Sequence, residues 1–140
     1  DWTPFDTGAG TFEKVWGMSE AEVYGAASWV SEVYDPDEGF RFVYHSRILA
    51  FDGSSWSAMQ EFINKAIGDV WGTSRENMFA VGSNEEWGYW GGLGQFKSYL
   101  TILRYEGVSW IPMVESDAPG RFNRIWGSSA NDIFAVGTVA

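Results

Sequence analysis

Three observations predict an all-β fold, a β-propeller segment of four-stranded antiparallel blades. One stretch occurs three times, as Val15 to Gly25, Val70 to Gly82 and Ile125 to Gly137, and its tryptophans Trp16, Trp71 and Trp126 stand 55 residues apart. A second set of landmarks, Trp2, Trp56 and Trp110, each followed by a small residue or proline and then Met or Phe, recurs every 54 residues. Ile48 to Gly53 precedes the similar Ile102 to Gly107 by 54 residues. Independent landmarks that share one period mark an internal repeat, and short strands repeating at that length suit propeller blades.

The first strand of a repeat is Phe12 to Trp16, Ile67 to Trp71 or Phe122 to Trp126, with apolar residues at the first, fourth and fifth places. Such imperfect alternation is expected of an inner strand. Next comes Gly-x-Ser with an acidic or amide residue, the chemistry of a hairpin turn. The second strand is Asp132 to Gly137 and its equivalents. The third ends in Asp52-Gly53 or Glu106-Gly107, which signals another tight turn, and the fourth carries the recurring tryptophan.

Residues 1–5 then form the outer strand of a preceding blade, 12–59 and 67–113 are complete blades, and 121–140 supply the first two strands of a further one. Closed propellers need about four blades or more. The expectation is an excerpt of a longer polypeptide or a unit that assembles head to tail with copies of itself. Trp2, Trp16, Trp56, Trp71, Trp110 and Trp126 recur in phase with the fold and are read as blade-packing residues.

The pattern V-W-G-S-S-x-x-D-V-F-A-V-G followed by I-L-x-Y-x-G-x-x-W resembles the Trp-Gly-Ser-Ser type of bacterial β-propeller repeat, distantly similar to WD40 blades in strand order. Ile125 to Gly137 matches almost letter for letter, Val70 to Gly82 departs at Thr73 and Met78, and Val15 to Gly25 is the most divergent. The resemblance covers nearly all of the chain apart from two insertions. It implies a secreted or surface protein and specifies no activity, because one fold hosts many functions.

The insertions carry the functional expectations. Residues 28–46 hold two β-rich arms around Asp35-Pro36-Asp37-Glu38-Gly39 and read as a projecting hairpin; residues 83–99 are glycine-rich and aromatic and read as a shaped loop. In a WD40-like strand order both leave one face, so their aromatic residues can form a single surface. Trp29, Tyr34, Phe40, Trp87, Tyr89 and Trp90 are the candidate partner-binding residues. Packing across the hairpin is the competing role for Trp29, Tyr34 and Phe40, together with Phe42 and Tyr44. If the partner is a glycan, Asn84, Glu85, Glu86 and Gln95 are the polar groups at hand.

Nineteen acidic against nine basic residues leave a net charge of −10, which repels nucleic acid. No cysteine is present, so thiolate chemistry and disulfides are excluded, and no apolar run reaches the ~18 residues of a membrane-spanning helix. Serines repeated in every blade and one histidine, His45, in an insertion argue against a Ser-His-acid triad. Asp35, Asp37 and Glu38 cluster without EF-hand spacing and read as a solvated hairpin tip. The expectation is a non-catalytic structural or interaction module, outside the cell or on its surface, with neighbouring blades or other copies as partners and neither metal nor cofactor. A lectin-like propeller is the first alternative, and a glycan-processing enzyme using some of the many carboxylates is the second.

Overall fold

A computed structural model describes residues 10–139 and is all-β, with antiparallel pairing throughout. The first sheet is a meander of β1 (Thr11–Ser19), β2 (Glu22–Asp35), β3 (Gly39–Phe51) and β4 (Trp56–Ile63). The second runs β5 (Lys65–Ser74), β6 (Asn77–Trp90), β7 (Leu93–Tyr105) and β8 (Trp110–Ser129). The long β8 changes partner midway: Trp110 to Pro119 pairs with β7, whereas Gly120 to Ser129 pairs with β9 (Asp132–Val139). Gly120 takes φ 144° at the change. The β8–β9 pair thereby begins a third layer. Among the described residues the sheets form no closed barrel or ring. Trp2 and the strand expected at residues 1–5 lie outside the described residues.

Backbone irregularities recur along the chain. Each inner pair shifts register at equivalent places, between Phe12 and Lys14, Ile67 and Asp69, and Phe122 and Arg124, and again in the Gly-x-Ser segment. Gly53 and Gly107, with φ of 98° and 86°, make the turns that the acidic-Gly pairs announce. Asp52 caps the first of these turns by accepting the amides of Ser54 and Ser55, both at 2.9 Å.

Sheets stack by one rule. Alternation along a strand sends Val70, Met78 and Ala80 towards the first sheet, where they share a core with Tyr24, Ala26 and Trp16. Trp71, Phe79 and Val81 point the other way and are covered by Ile125 together with Ile133 and Ala135, the 55-residue equivalents of Val70, Met78 and Ala80. Gly127 makes the second contact possible, because a Cβ there would stand 2.6 Å from the Trp71 ring. Asp69 clasps the same interface, accepting the amide of Val70 within its own strand and that of Ile125 in the next sheet, each at 3.0 Å. Between the first two sheets Gln60 plays a comparable part, accepting from Trp110 N at 2.8 Å and donating to its carbonyl at 3.2 Å.

The packing tryptophans therefore differ. Trp71 and Trp110 are buried, and Trp16 and Trp56 are half-buried, Trp56 lying against Phe12 and Phe51. Trp126 departs from the expected role: it is 61% exposed, because no described sheet covers the outer face of β8–β9.

Candidate functional site

Both insertions are hairpins. β2 and β3 stay paired out to Asp35↔Gly39, and β6 and β7 out to Trp90↔Leu93, so residues 83–99 are a regular ribbon rather than a shaped loop. The glycines that suggested a loop have two other uses. Gly91 and Gly92, with φ of 64° and 82°, form a two-residue turn of the kind that matches strand twist. Gly94 leaves room for an aromatic ring, since a Cβ there would meet Trp87 at 2.6 Å.

The hairpins lean on each other. Phe42 meets Trp87 edge-on at 4.8 Å, Tyr44 meets Phe96 at 5.8 Å, and the Tyr89 hydroxyl donates to the carbonyl of Phe40 at 2.9 Å. At their base, Asn64 donates its amide to Tyr44 O at 2.7 Å, and its carbonyl accepts from Glu85 N at 2.8 Å. Asn64 holds φ at 58°, a left-handed turn that asparagine tolerates better than most side chains.

A groove of about 690 Å³ runs between the two arms, with Phe40, Phe42, Trp87 and Tyr89 on its walls, Ile63 and Asn64 at its base, and Glu38, Arg41 and Glu86 along it. Tyr34, Phe40 and Tyr89 are 62%, 55% and 60% exposed, and Tyr34 packs on Phe40 at 5.1 Å. Trp87 is held by Phe42, Tyr89 and Phe96, and its indole Nε1 is buried with no hydrogen-bond partner. The other two candidates sit elsewhere. Alternation turns Trp29 to the opposite face of its hairpin, where it stacks on His45 at 5.1 Å beneath Arg47. Trp90 likewise faces away from Trp87 and lies under Lys97 at 4.2 Å.

The sequence offered Glu85 as a polar group for a glycan and did not show its place in a buried network at the root of the second hairpin. The Glu85 side chain is 1% exposed and accepts Ser83 Oγ at 2.5 Å, Ser98 Oγ at 2.9 Å and Arg121 at 3.3 Å. It ties β6, β7 and β8 together and is no surface ligand for a sugar. Asn84 is also engaged, by the Lys65 ammonium. No periodic signal could have singled out Glu85, because its equivalent one repeat earlier is Val30.

His45 has partners that the sequence did not suggest. Its Nε2 lies 2.7 Å from Ser31 Oγ and its Nδ1 3.9 Å from Glu61. The order is that of a hydrolytic triad, yet 3.9 Å is beyond a hydrogen bond. The three residues stand on paired strands outside the groove. Asp35 closes the first hairpin tip by accepting the amides of Asp37 at 2.8 Å and Glu38 at 3.0 Å, and these bonds hold its carboxyl below the ordinary value. Among the described residues no three His, Cys, Asp or Glu side chains are placed to hold a metal ion. Among the described residues no helix is long and apolar enough to cross a membrane.

In comparisons with known proteins, no family model, no curated protein and no solved structure matches this chain.

Proposed function

We propose that this chain is a β-propeller segment acting as a non-catalytic interaction module, outside the cell or on its surface, and that its paired hairpins grip an extended polypeptide. The observation that carries the reading is the joining of the two ribbons through Phe42–Trp87, Tyr44–Phe96 and Tyr89–Phe40 into one groove. A groove braced in this way loses little freedom on binding, which is what favours affinity in a pre-formed site. The exposed rings of Tyr34, Phe40 and Tyr89 supply anchors of the kind that dominate protein interfaces. The net charge of −10 favours a basic partner by long-range attraction. The 55-residue stacking rule supports the propeller assignment, with further sheets of a longer chain or of other copies completing the array.

A lectin-like reading has less support, because Asn84 and Glu85 are engaged within the fold and Trp87 is fixed edge-on by its neighbours. Selection from a random peptide display library, run beside a glycan array, separates the two. The expected result is enrichment of basic peptides with apolar anchors, weakened about tenfold or more by Tyr89→Ala. Glycan binding without peptide enrichment would favour the lectin reading, and binding of neither class would refute the interaction role of the groove.

A further inference from the structure

The apolar outer face of β8–β9 is the place where the stacking rule is left open. Trp126, Phe134 and Val136 are 61%, 59% and 60% exposed, and they are the 55-residue equivalents of Trp71, Phe79 and Val81, which the next sheet covers. At the other side of the stack Val15, 59% exposed, lies with Gly17 and Val23 on the outward face of β1–β2. These three occupy the positions of Ile125, Gly127 and Ile133, the residues that receive the Trp71 ring.

We propose that the Trp126 face docks on the Val15 face of a second copy of this chain, head to tail, repeating the contact that joins β5–β6 to β8–β9 within the molecule. The occupant is specified by that internal contact. The tail face carries the two aromatic rings and the valine of its internal counterpart, and the head face carries the aliphatic side chains and the glycine notch that accept them. In the docked pair Trp126 lies over Gly17 of the partner copy, as Trp71 lies over Gly127. Two parts of the internal interface have no counterpart: Gly25 on the head face stands where Ala135 stands, and Arg124 stands where Asp69 stands one repeat earlier, donating to Asn123 O instead of accepting an amide across the interface. The contact therefore rests on apolar area alone. It is heterologous, so it closes into a ring or grows as a filament according to the rotation between copies.

This inference rests on the sheet stacking used in the functional reading and is independent of what the groove binds. The test is sedimentation velocity on the whole chain across a concentration series, with Val15→Glu, which spoils the head face, and Phe134→Glu, which spoils the tail. Both sites are exposed in the single chain, so each variant keeps its fold by circular dichroism; Val136→Lys is a second tail variant should Phe134→Glu fail that control. The wild type associates, and either change weakens association by at least about 30-fold, as expected for an unpaired charge buried in an apolar contact. An equimolar mixture of the two variants forms a one-to-one complex that grows no further, because each retains one good face. Arg124→Asp supplies the missing acceptor and tightens association about tenfold.

A monomer at every concentration would overturn the inference. So would association that Val15→Glu leaves intact, variants that fail to complement, or an Arg124→Asp chain that associates no better than wild type. A ring of fixed mass also supports the propeller assignment, whereas open-ended growth supports the docking and counts against ring closure. Peptide binding by the groove, measured separately, is untouched by either outcome.

Discussion

Trp71 and Trp126 hold the same place in successive repeats and differ in surroundings, so replacing each by alanine isolates what stacking contributes. Trp71 is 7% exposed, enclosed by Phe79, Val81 and Ile125 and seated on Gly127. The walls of the space left by Trp71→Ala are hydrogen-bonded sheets with a glycine opposite, so little can move in to fill it. The cost is accordingly about 3 to 5 kcal/mol, the range for removing a large buried aromatic. Trp126 keeps only some two fifths of its surface from water, and its loss costs about 1 kcal/mol in the single chain. Urea unfolding followed by far-ultraviolet circular dichroism, at concentrations where the wild type is monomeric, reads both values from midpoints at constant slope. A Trp71→Ala change of less than about 1 kcal/mol, or equal costs at the two sites, would show that the stacked interface contributes nothing to Trp71.

Gly127→Val should destabilise by about 2 kcal/mol, because its Cβ falls 2.6 Å from the Trp71 ring and 2.7 Å from Asp132 O, whereas Gly17→Val on the open head face should cost far less; thermal melts of the two variants compare them. Glu85→Ala should cost about 1 to 3 kcal/mol by removing the acceptor of the Ser83 and Ser98 hydroxyls, and Glu85→Gln, which can still accept them, should cost less; the reverse order in urea midpoints would contradict the network. Burial and the Glu22 carboxylate push the Tyr24 phenol from 10.0 up to about 12. The native chain thus holds that proton more tightly than the unfolded one, so the contribution is full below pH 10 and is lost as pH rises towards 12. Tyr24→Phe should flatten that alkaline decline when urea midpoints are measured from pH 8 upward. Replacing the hairpin from Trp29 to Tyr44 by an Asn-Gly turn should leave a cooperative transition, since Val23↔Phe51 and Ala26↔Ile48 still pair, but at lower stability because Phe42 and Tyr44 no longer cover Trp87 and Phe96. Loss of cooperativity would place the hairpin within the core.

What the sequence made legible was what the repeat dictates. The 55-residue phase of Trp16, Trp71 and Trp126 marks the same strand three times, and Asp52-Gly53 and Glu106-Gly107 mark turns whose backbone angles glycine alone takes easily. Exposure did not follow from phase, because burial belongs to a residue and its neighbour together: Trp126 has the local sequence of Trp71 and lacks a covering sheet. Within the insertions no repeat was available to guide the reading. Glycine in residues 83–99 pointed to a loop, whereas Gly94 lies under an aromatic ring in a paired strand. The partition of the six candidate aromatics was open to strand alternation once the register was known: Tyr34, Phe40, Trp87 and Tyr89 share the groove side, and Trp29 and Trp90 do not. The Glu85–Ser98–Arg121 network and the Ser31–His45–Glu61 line came from residues on different strands, which no pattern in one chain reveals.

The place of the hairpins in the stack bears on how a partner would be held. Each sheet has its short turns at one end, Ser19 to Glu22 and Phe51 to Trp56 in the first, and its long hairpin at the other, where Asn64 also passes from β4 to β5. A long two-stranded ribbon alone is only marginally stable in water. Stacking removes the difficulty, because it brings the second ribbon alongside the first at a fixed distance, so that Phe42 and Tyr44 find Trp87 and Phe96. The same stacking that orders the sheets thus orders the groove. A change that loosens the interface between the first two sheets, such as Met78→Ala in their shared core, should therefore weaken peptide binding although Met78 does not line the groove. Because it acts through the separation of the ribbons, it should raise the dissociation rate and leave the electrostatic part of association unchanged.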